Sequence, residues 1–247
     1  MKGLSAVYKR IKMMETGITK AQLVLRLFII SSPLLLNDFY LRLVPEDAVA
    51  LKLVLDVMVY IFWQSTLIYL AFRARWFAVS DLGLSREKMG KQILSGFIIL
   101  ALVSVVSLVI DIGGSFLEHS FHIKVESVWY FPIPDWHPVP AFFYVLYLSI
   151  TAGVYEEIVY RGIIISQLRY VTAKPWILVI VSALVFTLIH WSMGPGTWII
   201  ALLFGAFWAW LFLRQGKLLP IMIAHFLYDF LSIYDIPGRI MSGLGLK

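Results

Sequence analysis

Glu156, Glu157 and Arg161 stand in the middle of an apolar stretch, AFFYVLYLSITAGVYEEIVYRGIII, residues 141–165. Near the centre of a membrane-spanning helix each ionisable side chain costs about 2.5–3.5 kcal/mol on insertion scales. Such groups persist where they face a protein interior or a wet cavity, and by default they mark a functional site. A carboxylate in such a place can take a proton from water or hold a cation. At i, i+4 spacing Glu157 and Arg161 can pair along one helix face. Glu156 points about 100° away from Glu157 and is free to face something else.

Two later apolar runs add the rest of a possible catalytic set. Phe186 and His190 share a helix face in FTLIH, and His225 and Asp229 share one in HFLYD. Carboxylates and imidazoles can thus converge from three helices on one intramembrane cavity. Each also has a plainer reading. Glu157 with Arg161 is then a buried ion pair that ties helices together. His190, beside Trp191, becomes an interfacial histidine, and His225 an interhelical hydrogen-bonding group.

The elements that must position these residues are membrane helices. The chain has 247 residues, 60% hydrophobic and only 15% charged, where a soluble domain carries about 25% charged residues. It contains no cysteine, which excludes disulfides, thiolate metal sites and a Cys–His catalytic pair. Apolar runs long enough to cross a bilayer, about 17–25 residues each, occur near 27–44, 49–72, 92–110, 141–168, 176–193, 197–213 and 218–234. The expected fold is an all-α polytopic transmembrane bundle of about seven spans, or eight if the long fourth run divides. Residues 1–26 read as a basic interfacial segment, 27–140 as the N-terminal spans with an external loop, and 141–247 as the spans that carry the motifs. Pro33, Asn37 and Asp38 interrupt the first run and no cleavage site follows, so it reads as an uncleaved span. Asp56 and Gln64 in the second run are expected to face the bundle interior.

Charge orients the bundle. With the N-terminus inside, the cytoplasmic segments hold six Lys/Arg up to Arg26, five from Arg73 to Lys91, and Arg169, Lys174, Arg214 and Lys217, or 15 of the 21. This follows the positive-inside rule and fits an integral protein of the plasma membrane with a cytoplasmic N-terminus. The net charge of +6 is accounted for by these topology signals, which argues against a nucleic-acid partner. His119, His122 and His137 in the external loop 111–140 match no closed zinc spacing and read as a solvated polar loop.

The three motifs resemble those of the CAAX protease and bacteriocin-processing family, the intramembrane glutamic endopeptidases. EEIVYRG is similar to its EExxxR motif, FTLIH to FxxxH, and HFLYD to HxxxN/D, in the family's order and on separate runs. The resemblance covers residues 141–234. It implies that Glu156 and His190 activate a water for attack on a peptide carbonyl, and that His225 with Asp229 binds the oxyanion. Glu157 and Arg161, with Phe186, would position Glu156 and keep the cavity's shape. Asp229 stands where the best-understood branch has Asn. An ionised Asp accepts hydrogen bonds only, so Asp229 must be protonated or must leave the donation to His225.

The resulting reading is an endopeptidase acting on a lipidated or membrane-anchored substrate, with no cofactor expected. Two alternatives stay open: a zinc protease using Glu156, His190 and His225 as ligands, and a non-catalytic scaffold or bacteriocin-immunity protein. A transporter is weaker, because the chain lacks two similar halves. One tension arises from length alone. At full span length Glu156 lies ~22 Å from the outer end of its run and His190 ~21 Å from the inner end of its own, an offset of ~13 Å in depth across a ~30 Å core.

The topology is checked with single cysteines placed in this cysteine-free chain. An impermeant thiol reagent should label loop 111–140 from outside intact cells and leave loop 73–91 unlabelled; the reverse pattern overturns the orientation.

Overall fold

Proline placement and apolar run length set where the helices begin and end. The computed structural model describes residues 18–122, 133 and 135–234. Residues 1–17 of the expected interfacial segment, and most of the stretch between His122 and Asp135, lie outside the described residues. Within them the chain is all-α: α1 (Lys20–Leu43), α2 (Val49–Arg73), α3 (Met89–Phe121), α4 (Pro138–Leu168), α5 (Pro175–Leu188), α6 (Pro195–Gln215) and α7 (Leu219–Ile233). The last four each carry a proline in the first turn, where its missing N–H would have no intrahelical partner anyway.

Five of the seven are long and apolar enough to cross a membrane, while α5 and α7 are shorter apolar helices. The chain is an integral membrane protein. Three boundaries differ from the sequence reading. Helix α1 begins at Lys20 under a Thr19–Gln22 capping box, so the basic residues Lys20 and Arg26 form part of the first span. Helix α3 runs 33 residues to Phe121 and takes in the first part of what reads as external loop. Helix α5 has only 14 residues and stops at Leu188, so His190 sits in a turn beyond the helix and not on it.

Pro33 lies inside α1 and removes a donor from its ladder. The Ser32 hydroxyl donates to the Ile29 carbonyl at 2.8 Å, which supplies the missing partner. One residue on, Gln64 Nε2 of α2 donates to the Ile30 carbonyl at 3.1 Å and ties the two helices together. Both α2 and α4 widen into π-helix, over Val57–Trp63 and Ala152–Ile164. The periodic apolar pattern gives no sign of this, and π-turns inside α-helices are frequent at functional sites.

Helix α4 is the buried axis of the bundle. Val159, Tyr160, Ile163, Ile164 and Ile165 are fully enclosed, with Trp208 and Ala209 of α6 and Ile221 and Ala224 of α7 packed in the same core. In lipid there is little hydrophobic force between helices, so close approach through small residues carries the packing. Gly153 of α4 lies so near α7 that a Cβ there would be 2.7 Å from the Phe226 nitrogen. At Gly205 of α6 a Cβ would be 3.2 Å from the Ala183 Cα of α5. The loops on one face meet as closely. Gly83 has a φ of +61°, and a Cβ on it would fall 2.2 Å from the Gly216 carbonyl oxygen, so only glycine fits there.

Gly153→Ala should therefore destabilise the bundle by about 1–3 kcal/mol through overpacking against backbone that cannot yield. Gly90→Ala, with nothing within 4 Å, should be neutral or add up to about 1 kcal/mol of helix propensity. Melting temperatures of both variants in detergent check this; equal effects would contradict the packing described.

Candidate active site

The site begins with a charge that has nowhere to go. Arg161 and Glu157 are both fully buried and paired at 3.1 Å between Nη1 and Oε1. Neutral groups from two other helices also meet the guanidinium, while its Nε is buried without a hydrogen-bond partner. Nη2 donates to the Gly205 carbonyl of α6 at 3.4 Å, and the group lies 4.4 Å from the centre of the Phe186 ring of α5. A cation over an aromatic face is favourable, more so when desolvated.

Glu157 also accepts from His225. The ring's Nδ1 is 2.7 Å from Glu157 Oε1, and a carboxylate oxygen can only accept, so Nδ1 carries the proton. That bond fixes the ring's orientation and leaves Nε2 to face elsewhere. Nε2 lies 3.5 Å from Asp229 Oδ2 and 4.0 Å from Glu156 Oε2. The indole of Trp208 stacks on the same ring, with 5.7 Å between centres and 20° between planes. His225 is thus fixed on one edge by Glu157 and on one face by Trp208.

Glu156 turns away from this pair into a cavity of about 370 Å³. Glu156, His190, His225 and Asp229 all line it, with Phe186, Ile189 and Met193. The Tyr60 hydroxyl of α2 donates to Glu156 Oε1 at 3.3 Å. His190 Nδ1 is 3.3 Å from the Phe186 carbonyl, an acceptor, so in the neutral ring the proton is on Nδ1 and Nε2 holds a lone pair. The depth offset implied by full-length spans does not keep the two from lining one cavity.

Phe186 has a wider role than its motif suggests. Its ring stands edge-on to Tyr160, His190 and His225 at 5.4, 5.1 and 6.4 Å, so it separates the two imidazoles while covering Arg161. Glu157 pairs with Arg161, as their spacing suggests, and also meets His225, whereas Glu156 accepts from Tyr60. Asp56 and Gln64 are buried as the sequence suggests, and Asp56 in addition lines the cavity. It accepts from the Tyr147 and Tyr40 hydroxyls at 2.7 and 3.1 Å. His119, His122 and His137 are exposed; His137 Nδ1 accepts from the Val139 amide at 3.4 Å and so caps α4. Among the described residues no group of three or more His, Asp or Glu is arranged to hold a metal ion.

Four cavity or supporting residues escaped the sequence reading as members of the site: Tyr60, Trp208, Asn37 and Asp38. Tyr60 and Trp208 are aromatic residues in an aromatic-rich chain and carry no spacing signal. The Asn37–Asp38 pair was visible as a polar break in an apolar run, and that break is the signal that could have found it.

Residues 138–231 match the family described as type II CAAX prenyl endopeptidase Rce1-like. The match covers less than half of the chain, and over it the chain is similar to a CAAX protease family. The Rce1-like region spans α4 to α7 and contains Glu156, Glu157, Arg161, Phe186, His190, His225 and Asp229, while α1 and α2 lie outside it. The description of that family is one of proteases. No curated protein and no solved structure matches the chain.

Loss of the counter-charge in the Rce1-like region should be costly. Arg161→Ala leaves Glu157 buried without its cation, a change of about 3–5 kcal/mol for a broken buried pair. Thermal unfolding in detergent should show a clear drop in melting temperature. A variant that melts like the parent would mean that Glu157 is served by His225 alone.

Proposed function

We propose that this chain is an intramembrane glutamic endopeptidase that hydrolyses a peptide bond in a membrane-anchored substrate. The observation that supports this best is the single cavity lined by Glu156, His190, His225 and Asp229. In this reading a water is held between the Glu156 carboxylate and the lone pair on His190 Nε2. Glu156 takes a proton as the water oxygen bonds to the peptide carbonyl carbon. The oxyanion that forms needs a donor already in place, since one such donor is worth roughly 2.7–4 kcal/mol.

His225 supplies that donor. Its Nδ1–H is committed to Glu157, so a proton on Nε2 makes the ring an imidazolium whose second N–H faces the cavity. Asp229, 3.5 Å from Nε2, favours that form and steers the ring; Asp229 itself need not donate. The proton on Glu156 then passes to the leaving nitrogen as the C–N bond breaks, which yields a carboxylic acid and an amine and restores the carboxylate of Glu156. Tyr60, 3.3 Å from Glu156, orients the acid and gives up no proton of its own.

A membrane-anchored, lipidated substrate is supported by the apolar helices around the cavity and by the prenyl endopeptidase description of the matching family. An orientation with the N-terminus in the cytoplasm is supported by the Lys/Arg bias of the segments between spans. The mechanism needs no cofactor: the proposed acid, base and oxyanion donor are all side chains of this chain.

Glu156→Gln is the test. It keeps the side-chain volume and removes the base, and a lost general base typically costs ~10²–10⁴-fold in rate. The fold should survive, because a neutral amide is less costly to bury than a charge. Uncleaved membrane peptides should accumulate in cells carrying the variant, and chelator treatment of the parent protein should leave the rate unchanged. Full biological function in Glu156→Gln would favour a scaffold or immunity protein; loss of activity on chelation with recovery on added zinc would favour the metal reading.

A further inference from the structure

His190 is the one proposed catalytic residue that does not itself lie on a helix, although its Nδ1 meets the Phe186 carbonyl of α5 at 3.3 Å. It lies two residues beyond the end of α5, in the turn Ile189–Gly194 that reverses the chain into α6. Inside the turn the His190 amide donates to the Thr187 carbonyl at 3.0 Å, and the Met193 amide donates to the His190 carbonyl at 3.0 Å. Trp198 Nε1 of α6 donates to that same His190 carbonyl at 2.9 Å. These contacts join the turn to the two helices it connects, and they set no distance between the imidazole and the opposite wall.

A further set of contacts reaches the turn from α1. Leu35, Asp38, Phe39 and Arg42 fall at i, i+3, i+4 and i+7, one face of a helix, and each meets the residues next to His190. Asp38 Oδ2 accepts from both the hydroxyl and the amide of Ser192, at 2.6 and 3.3 Å. The Leu35 carbonyl accepts from Trp191 Nε1 at 3.2 Å. The Phe39 ring packs on the Trp191 ring at 4.9 Å, and the Arg42 guanidinium lies 5.6 Å from the centre of the same indole. Asp38 has no exposure to solvent, and its residue lines the cavity beside His190.

We propose that Asp38 is a positioning residue for His190, acting through its two hydrogen bonds to Ser192, and that this face of α1 fixes the catalytic turn. The assignment of the role served rests on the endopeptidase reading; the mechanical link does not. A buried carboxylate in a first membrane span is expensive, and here it is used where two donors from one residue meet it. The consequence is that the catalytic geometry depends on a helix outside the family-like region 138–231. The Asn37–Asp38 break in an otherwise apolar span is the sequence trace of that role.

Two measurements on the full-length protein in detergent or nanodiscs test the link. The first is the rate at which diethyl pyrocarbonate modifies each histidine, read by mass spectrometry, and it needs no substrate. Losing a hydrogen bond to a charged group corresponds to roughly 10- to 100-fold in a local opening equilibrium. Asp38→Leu should raise the His190 rate by about that factor, while His225, held by Glu157 and Trp208, keeps its rate. Asp38→Asn should stay near the parent, because the amide oxygen still accepts from both Ser192 donors. An unchanged His190 rate in Asp38→Leu overturns the proposal, whatever the protein's activity.

The second measurement is cleavage of a prenylated CAAX-type reporter peptide. Asp38→Leu should lower kcat with KM unchanged, and should add no further loss in a His190→Ala background, as expected for a residue acting only through His190. A rise in KM with kcat intact would place Asp38 on the substrate and overturn the positioning role. If Glu156→Gln keeps activity while the His190 modification rate still responds to Asp38→Leu, the protease reading falls and the α1 clamp stands. Should Asp38→Leu fail to fold, Ser192→Ala removes the shorter of the two bonds and should shift both readings in the same direction.

Discussion

Everything at the centre of this bundle follows from one fully buried guanidinium. Arg161 cannot be neutralised by losing its proton, and an unpaired charge away from water costs several kcal/mol even after relaxation. The fold meets that cost with a carboxylate one turn away, a backbone carbonyl at Gly205 and an aromatic face at Phe186. Those partners come from α4, α6 and α5, so satisfying one charge fixes three helices relative to one another. Glu157 then reaches past the pair to His225 on α7. Four helices are registered by a chain of polar contacts in a medium that offers no others, where such networks are strongest and most costly to break.

The arrangement divides labour between two carboxylates adjacent in sequence. Glu157 has no exposure and serves structure and the orientation of His225. Glu156 faces the cavity, where a single phenol holds it. The π-helical course of α4 through both residues gives the segment a wider turn than an α-helix, and Gly153 lets that wider segment approach α7. On the far wall the cavity is completed by α1 and α2, through Asn37, Asp38, Asp56 and Tyr60. The N-terminal helices are therefore part of the chamber and not merely a membrane anchor for the Rce1-like region.

Much of this was legible in the sequence because charge inside an apolar run is conspicuous. Glu156, Glu157, Arg161, His190, His225 and Asp229 stand out on that ground alone, and the run lengths give the seven helices. What stayed hidden depended on contacts between elements. Spacing assigned Glu157 to Arg161 but could not show that its second partner would be a histidine 68 residues on. Tyr60 and Trp208 looked like any other aromatic residues of a membrane protein. The early end of α5 was masked by the apolar residues Ile189 and Trp191, which continue the run after the hydrogen-bonded helix has stopped; only Gly194 and Pro195, just beyond, mark the reversal. Asp38 stands out as part of an interruption and not as a function, because its partner Ser192 lies 154 residues away.

The brevity of α5 has a consequence for the lipid around it. Its Trp176, Ile180, Leu184 and Leu188 recur every fourth residue and are all exposed, so this face is turned to hydrocarbon. Yet 14 residues cover only about 21 Å, against a hydrocarbon thickness of roughly 30 Å. Such a hydrophobic mismatch is relieved by local thinning of the bilayer, at a fraction of a kcal/mol for each ångström. The thinning would fall beside the turn that carries His190. A peptide segment approaching from that side would cross less hydrocarbon before reaching the cavity, and water would have a shorter way in.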